Sequence, residues 1–209
     1  VSEVWVNSLV QGVSSSDTIE DGKAVLVSTA WGPSDQGFYR ARSCYLLVRE
    51  RFRAETLVIY PAVGDFLPIF GCEYIELPHK RFGAVDFHPV NGNIAPVADY
   101  LSNEPDRTVE KSAHYDLDTH FSPKLWLERG SDRDIYARFQ EKAKKYVSTY
   151  LGMLADHSSV SGDGPHTHIG YNSYMAEHDP AHGILKSYFG PEFARDYIEK
   201  FLFPCPVRC

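Results

Sequence analysis

Apolar positions come in short β-branched and aromatic runs between polar, turn-forming stretches through the first ninety residues, and a helical period appears later in the chain. Five β-branched and aromatic runs stand between turn-forming stretches: "VSEVWVNSLV", "GKAVLVSTAW", "GFYRARSCYLLVRE", "AETLVIYPAV" and "CEYIEL…RFGAVDFHPV". Their spacing predicts strands joined as an antiparallel meander. Residues 91–120 are polar and without clear period, which predicts a long connection with short helical turns.

The period changes in "SDRDIYARFQEKAKKYVSTYLGMLADH", where Ile135, Phe139, Ala143, Tyr146, Tyr150 and Leu154 recur at helical spacing and Ser131 with Asp134 suggests a capping box. The Gly/Ser/His-rich "SSVSGDGPHTHIG" predicts a loop. Two further helices are expected in "DPAHGILKSYF" and "PEFARDYIEKFLF", each opened by a proline and separated by Gly190. Strands first and helices afterwards predict an α+β fold with helices packed on a sheet.

With 209 residues, 43% of them hydrophobic, the chain can fill one sizeable core, so residues 1–209 are expected to form a single domain. The net charge of −7 argues against a general affinity for nucleic acid or anionic membrane. No apolar run approaches the roughly 20 residues of a membrane span. Four cysteines without a C-x-x-C pair give no disulfide framework and favour a reducing compartment. The start at Val1, directly on a strand-like pattern, suggests that an N-terminal segment has been removed.

Three groups of side chains are candidates for chemistry. Histidines cluster at His166 and His168 and again at His178 and His182, but Pro180 separates the second pair, so the two do not share a helix face as metal-binding histidines at i, i+4 do, and a structural or solvent-exposed role is favoured. No G-x-G-x-x-G, P-loop or G-x-S-x-G motif is present. Two acids stand out. Glu73 lies in an apolar, aromatic-rich strand where partial desolvation would raise its pKa as a proton donor requires; the alternative is a strand residue facing solvent. Asp179 precedes Pro180 and is either a helix N-cap or a functional acid. Among basic residues, Arg40 and Arg42 share a strand face, suited to holding carboxylates. Arg138, Lys142 and Lys145 form a helix stripe that would meet an acidic partner or simply face solvent.

In order along the chain, "SEVW", "FYRAR", "YPAVGDFLPIFGCEYIELPHKRFGAVDFHPV", "HFSPKLW", "YMAEHDPAHGILKSYFG" and "FLFP" resemble the ferredoxin-dependent bilin reductases. The resemblance runs from about residue 2 to 204, and the tail motif and "LPIFG" are its most specific parts. It implies a three-layer α/β/α sandwich with a central antiparallel sheet. It also implies reduction of biliverdin or dihydrobiliverdin through radical intermediates, with single electrons from a [2Fe-2S] ferredoxin and no bound metal or flavin.

Carried over by position, Asp179 resembles the family's C-terminal loop acid. Glu73 stands where many members have Asp, a departure that lengthens its reach. Ser43 and Thr56 occupy places where phycocyanobilin-forming members tend to have Glu and His, which points instead to a phycoerythrobilin-type or dihydrobiliverdin-type product. Arg40, Arg42 and Phe70 of "LPIFG" complete the expected substrate contacts, the arginines toward propionates, and the Arg138, Lys142, Lys145 stripe is the expected ferredoxin face. The resemblance further implies a monomer, with a phycobiliprotein or a downstream bilin reductase as possible further partners. The expected location is the plastid stroma in a eukaryote and the cytoplasm in a bacterium or phage. A bilin-binding protein without reduction and a reductase of a chlorophyll catabolite are the rival readings.

Overall fold

The computed structural model describes residues 5–62, 67–90, 92–109, 111–112, 115–157 and 168–204. Seven strands lie side by side in chain order, every neighbouring pair antiparallel: β1 (Ser14–Asp21), β2 (Ala24–Trp31), β3 (Phe38–Val48), β4 (Phe52–Pro61), β5 (Ile69–Leu77), β6 (Lys80–His88) and β7 (Trp126–Gly130). Side chains alternate across this sheet, so each of its two faces needs a cover. Helix α3 (Ile135–Asp156) covers one, burying Ile135, Phe139, Ala143, Tyr146, Tyr150 and Leu154 against Leu57, Phe70, Tyr74 and Phe87. Helices α4 (Ile169–His178), α5 (Ala181–Phe189) and α6 (Pro191–Tyr197) cover the other, with Tyr171, Leu185 and Ile198 packed among Leu26, Leu46, Val58 and Tyr60. The result is the expected α/β/α sandwich. Two short helices, α1 (Ala95–Tyr100) and α2 (Leu117–His120), lie in the connection from β6 to β7.

The apolar stripe of α3 decides where it docks. Phe70, Phe87, Phe139 and Tyr150 are all fully buried, each worth roughly 1.5–3 kcal/mol of apolar burial. The Tyr150 hydroxyl donates to the Pro68 carbonyl at 2.8 Å, so its polar tip is satisfied inside the core. At Gly83 of β6 an added Cβ would come within 3.1 Å of the Trp126 ring and 3.3 Å of Phe139, so a bare backbone is what lets α3 and β7 close on this strand.

Some local expectations are corrected. Within the described part of the first run no strand forms: Trp5–Leu9 is a 3₁₀ turn that buries Val6 completely and sets Trp5 edge-on to Phe139, while residues 1–4 lie outside the described residues. The true first strand, β1, is polar and almost wholly exposed, and its Asp17, Glu20 and Asp21 guard the sheet edge. At the start of α3 neither Ser131 nor Asp134 caps with its side chain. Asp132 instead accepts from the Asp134 amide at 2.9 Å and pairs with Arg138, while the Ser131 carbonyl is taken by Arg81. Helix α4 and strand β7 were not anticipated.

Candidate functional site

The face under α4–α6 carries a polar row across three adjacent strands. Cys44 of β3 is the cross-strand partner of Thr56 of β4, and Thr56 that of Glu73 of β5. Side chains at such paired positions stand next to one another. Arg42, two residues before Cys44, donates from Nη1 to the Thr56 hydroxyl at 3.2 Å and from Nε to the Leu202 carbonyl at 2.7 Å, and its guanidinium lies 4.8 Å from the centre of the Phe203 ring.

Asp179 enters from the opposite layer, at the break between α4 and α5 where Pro180 cannot continue the first helix. Helix α4 is pinned in place. Its buried Asn172 accepts from the Tyr60 hydroxyl at 3.0 Å and donates to the Pro204 carbonyl at 2.8 Å. The Tyr174 hydroxyl accepts from the Asp116 amide. Asp179 Oδ1 accepts from the Ala181 amide at 2.7 Å, so the residue does cap the turn into α5.

Electrostatics give both acids more than a capping role. Burial pushes the Glu73 carboxyl up to about 8, the Asp179 carboxylate pushes in the same direction, and Arg42 opposes them. Burial also raises Asp179, against the Ala181 amide, Arg42 and His182, which hold it down. Burial thus shifts Glu73 toward its protonated form near neutral pH, a second raised carboxyl acts on it from another layer, and both feel one guanidinium. Such a pair can deliver protons to a group lying between the sheet and the α4–α5 junction.

The structure gathers Glu73, Asp179, Arg42 and Thr56, but not every predicted site residue. Arg42 is 2% exposed with Nε and Nη1 engaged by the protein, and Arg40 donates to the Phe201 carbonyl at 2.6 Å. The two arginines thus satisfy carbonyls of the wide turn Ile198–Leu202 that ends α6, work that the sequence pattern alone did not suggest. Ser43 lies on the opposite face, donating to Asn7 of the N-terminal turn at 2.5 Å, and Phe70 lies there too, against Phe87 and Tyr150. The basic stripe is already paired: Arg138 with Glu128 and Asp132, Lys142 and Lys145 with Glu104. It is not a free positive patch.

Among the histidines, His168 is buried beside Tyr39 and Tyr60, His178 ends α4, His182 lies in the first turn of α5, and His166 falls outside the described residues, as do Cys205 and Cys209. Among the described residues no group of three or more His, Cys, Asp or Glu is placed to hold a metal ion.

Several site residues escaped the sequence pattern. Tyr115, from the polar connection, packs on Phe121 at 5.4 Å; burial raises its hydroxyl far above the ordinary range, and the Asp179 and Glu73 charges add to that. Asp86 of β6 accepts from the Ser122 amide at 2.9 Å and from its hydroxyl at 2.5 Å, and burial still pushes it up to about 7. The alternation of β6 places Asp86 and His88 on the Glu73 face, a signal that was available in "VDFH".

The family model for ferredoxin-dependent bilin reductases matches residues 7–204. A 15,16-dihydrobiliverdin:ferredoxin oxidoreductase of Prochlorococcus marinus is 28% identical over 193 residues, covering 85% of this chain and 80% of the relative. The protein of the same name from Nostoc punctiforme is 29% identical, covering 83% and 77%. A phycoerythrobilin:ferredoxin oxidoreductase of Prochlorococcus marinus is 28% identical, covering 87% and 77%. The fold is similar to that of phytochromobilin synthase from tomato in complex with biliverdin, with a TM-score of 0.69 at 20% identity, covering 95% of this chain and 79% of that one.

Proposed function

Because this chain belongs to the ferredoxin-dependent bilin reductase family, we propose that it reduces biliverdin or 15,16-dihydrobiliverdin on the route to a phycoerythrobilin-type pigment, with Glu73 and Asp179 as the proton donors. The observation that carries this assignment is the pairing of two raised carboxyls from opposite layers around one counter-charge, Arg42. The names of the bacterial relatives support the substrate class.

The chemistry follows from charge. An electron added to a conjugated tetrapyrrole makes it more basic, so each of two single electrons from ferredoxin draws a proton after it. Two electrons and two protons together saturate one double bond. Glu73, protonated at neutral pH, supplies one proton and Asp179 the other, and water restores both acids. Positioning both donors beforehand removes the cost of assembling them during the reaction. Glu73 reaches one methylene further into this space than an Asp would.

The test is anaerobic incubation with reduced ferredoxin and biliverdin, or 15,16-dihydrobiliverdin, followed by absorbance spectra and chromatography. One of the two pigments is expected to be consumed with two electrons per turnover. Consumption of neither, alongside reduction of a chlorophyll-derived tetrapyrrole, would overturn the substrate assignment.

A further inference from the structure

The Glu73 face carries a histidine that proton delivery does not use. His88 ends β6, is 6% exposed, and is packed between Phe121 at 4.9 Å and Tyr171 at 5.0 Å. Its Nδ1 lies 3.2 Å from the His120 carbonyl oxygen. A carbonyl oxygen only accepts, so Nδ1 carries the hydrogen and the neutral ring presents Nε2 as a bare lone pair. Burial lowers the imidazole pKa to about 4, which keeps that lone pair free at neutral pH. The nearest acid, Asp86, is 3.6 Å from Nδ1 and has its oxygens engaged by Ser122.

Among the described residues Nε2 has no hydrogen-bond partner. It lies 2.5 Å from where a Cβ at Gly71 would stand, so the ring rests on the position in β5 that has no side chain. Gly71 and Glu73 are two residues apart and share a face, which separates them by about 7 Å along the strand. Nε2 is not sealed off: unlike both ring nitrogens of His168 it keeps some exposure, so a donor brought by a ligand can reach it. A linear tetrapyrrole brings several pyrrole and lactam N–H groups along one edge.

Resting on the bilin assignment above, we propose that His88 Nε2 accepts a hydrogen bond from a pyrrole or lactam N–H of the bound pigment and so sets its register against Glu73. The donor requirement makes the site selective for the nitrogen edge of the pigment rather than for its propionates. Gly71 is part of the same device, because any side chain there would push the ring away.

The probe is biliverdin, titrated anaerobically into the purified protein without ferredoxin and followed by absorbance. His88→Phe keeps a ring between Phe121 and Tyr171 but removes the acceptor, whereas His88→Gln returns an acceptor near the position of Nε2. Loss of one well-placed hydrogen bond predicts about tenfold weaker binding for His88→Phe and recovery to near wild type for His88→Gln. Gly71→Ala, with His88 intact, is expected to weaken binding similarly by displacing the ring. Wild-type affinity in both His88→Phe and Gly71→Ala overturns the proposal, as does equal loss in His88→Phe and His88→Gln, which would mean packing alone. If the wild-type protein binds neither biliverdin nor 15,16-dihydrobiliverdin titrated in the same way, the bilin assignment falls first and this inference with it.

Discussion

Arg42 donates to the Leu202 carbonyl at 2.7 Å, so the positive charge that offsets Glu73 and Asp179 is held by the end of the polypeptide and not by a substrate. Three elements meet at this side chain: β3 supplies it, β4 accepts from it through Thr56, and the turn after α6 fixes its direction. Removing it would disturb the acids and the C-terminal packing together.

Arg42→Met is therefore expected to cost about 2–4 kcal/mol of unfolding free energy, because the Leu202 carbonyl and the Thr56 hydroxyl lose a charged donor and the two acids lose a nearby positive charge. Urea unfolding at neutral pH measures it. A loss below 0.5 kcal/mol would show that the guanidinium is dispensable to the fold; this threshold is an order-of-magnitude choice, about the scatter of a surface substitution.

The two acids should differ in their effects on turnover. Asp179→Asn is expected to stop or divert the reduction, and Glu73→Gln to leave a one-electron-reduced pigment radical detectable by electron paramagnetic resonance. Wild-type product at wild-type rate from both variants would reduce Asp179 to the cap it forms with the Ala181 amide.

The raised Glu73 also makes a stability prediction. An acid whose folded pKa lies above its unfolded value of 4.5 contributes fully below that value, and its contribution is lost as pH rises through about 8. Glu73→Gln has no such loss, so its stability relative to wild type should grow between pH 5 and pH 9, by roughly 2 kcal/mol after allowing for partial solvent access. Parallel stability curves for the two proteins would contradict it. Asp86, raised to about 7, makes wild-type stability fall in the same direction and should be unchanged in the variant.

The basic stripe on α3 yields a fourth test. Glu104 is 5% exposed; burial pushes its carboxyl up, but Lys142 and Lys145 outweigh this and hold it below the ordinary range. Lys142→Met with Lys145→Met is expected to cost about 1–2 kcal/mol at pH 7, discounted because Lys145 is largely solvated. An acid with a depressed folded pKa stabilises above its unfolded value of 4.5, so the cost should shrink as pH falls below it. Since these charges are already paired within the protein, the salt dependence of ferredoxin-driven turnover should change little. A steep change would return the stripe to the electron-transfer interface.

Strong periodicity was legible wherever burial is one-sided. The one-sided stripe of α3 shows as a period, and β2 through β6, covered on both faces, show as short apolar runs, each following from which residues must leave water. Strand β1 was not legible because both its faces are wet, so SSSDTIED carries no apolar alternation. Helix α4 hides its helical pattern by burying the polar Asn172 between Tyr171 and Met175. Ser43 and Arg42 are neighbours in sequence and lie on opposite faces, which period two predicts, but what each one meets is decided by chain more than 30 residues away in both cases. Of the site, Glu73 and Asp179 were visible through their local settings and the family motifs. Tyr115 was not, because nothing near it in sequence shows that the connection from β6 folds back over the sheet, whereas for His88 the alternation of β6 gave its face but not the rings it meets.

The strict chain-order layout of the seven strands also has a bearing on biosynthesis. Each strand's partner is the one just made, so the sheet can be laid down hairpin by hairpin as the polypeptide leaves the ribosome. Asp179 and the carbonyls of Phe201 and Leu202 are made only after all seven strands. A product truncated before them would keep the strands yet leave Glu73 facing no second acid and Arg42 with Thr56 alone to hold, so the sheet is complete before the candidate site is.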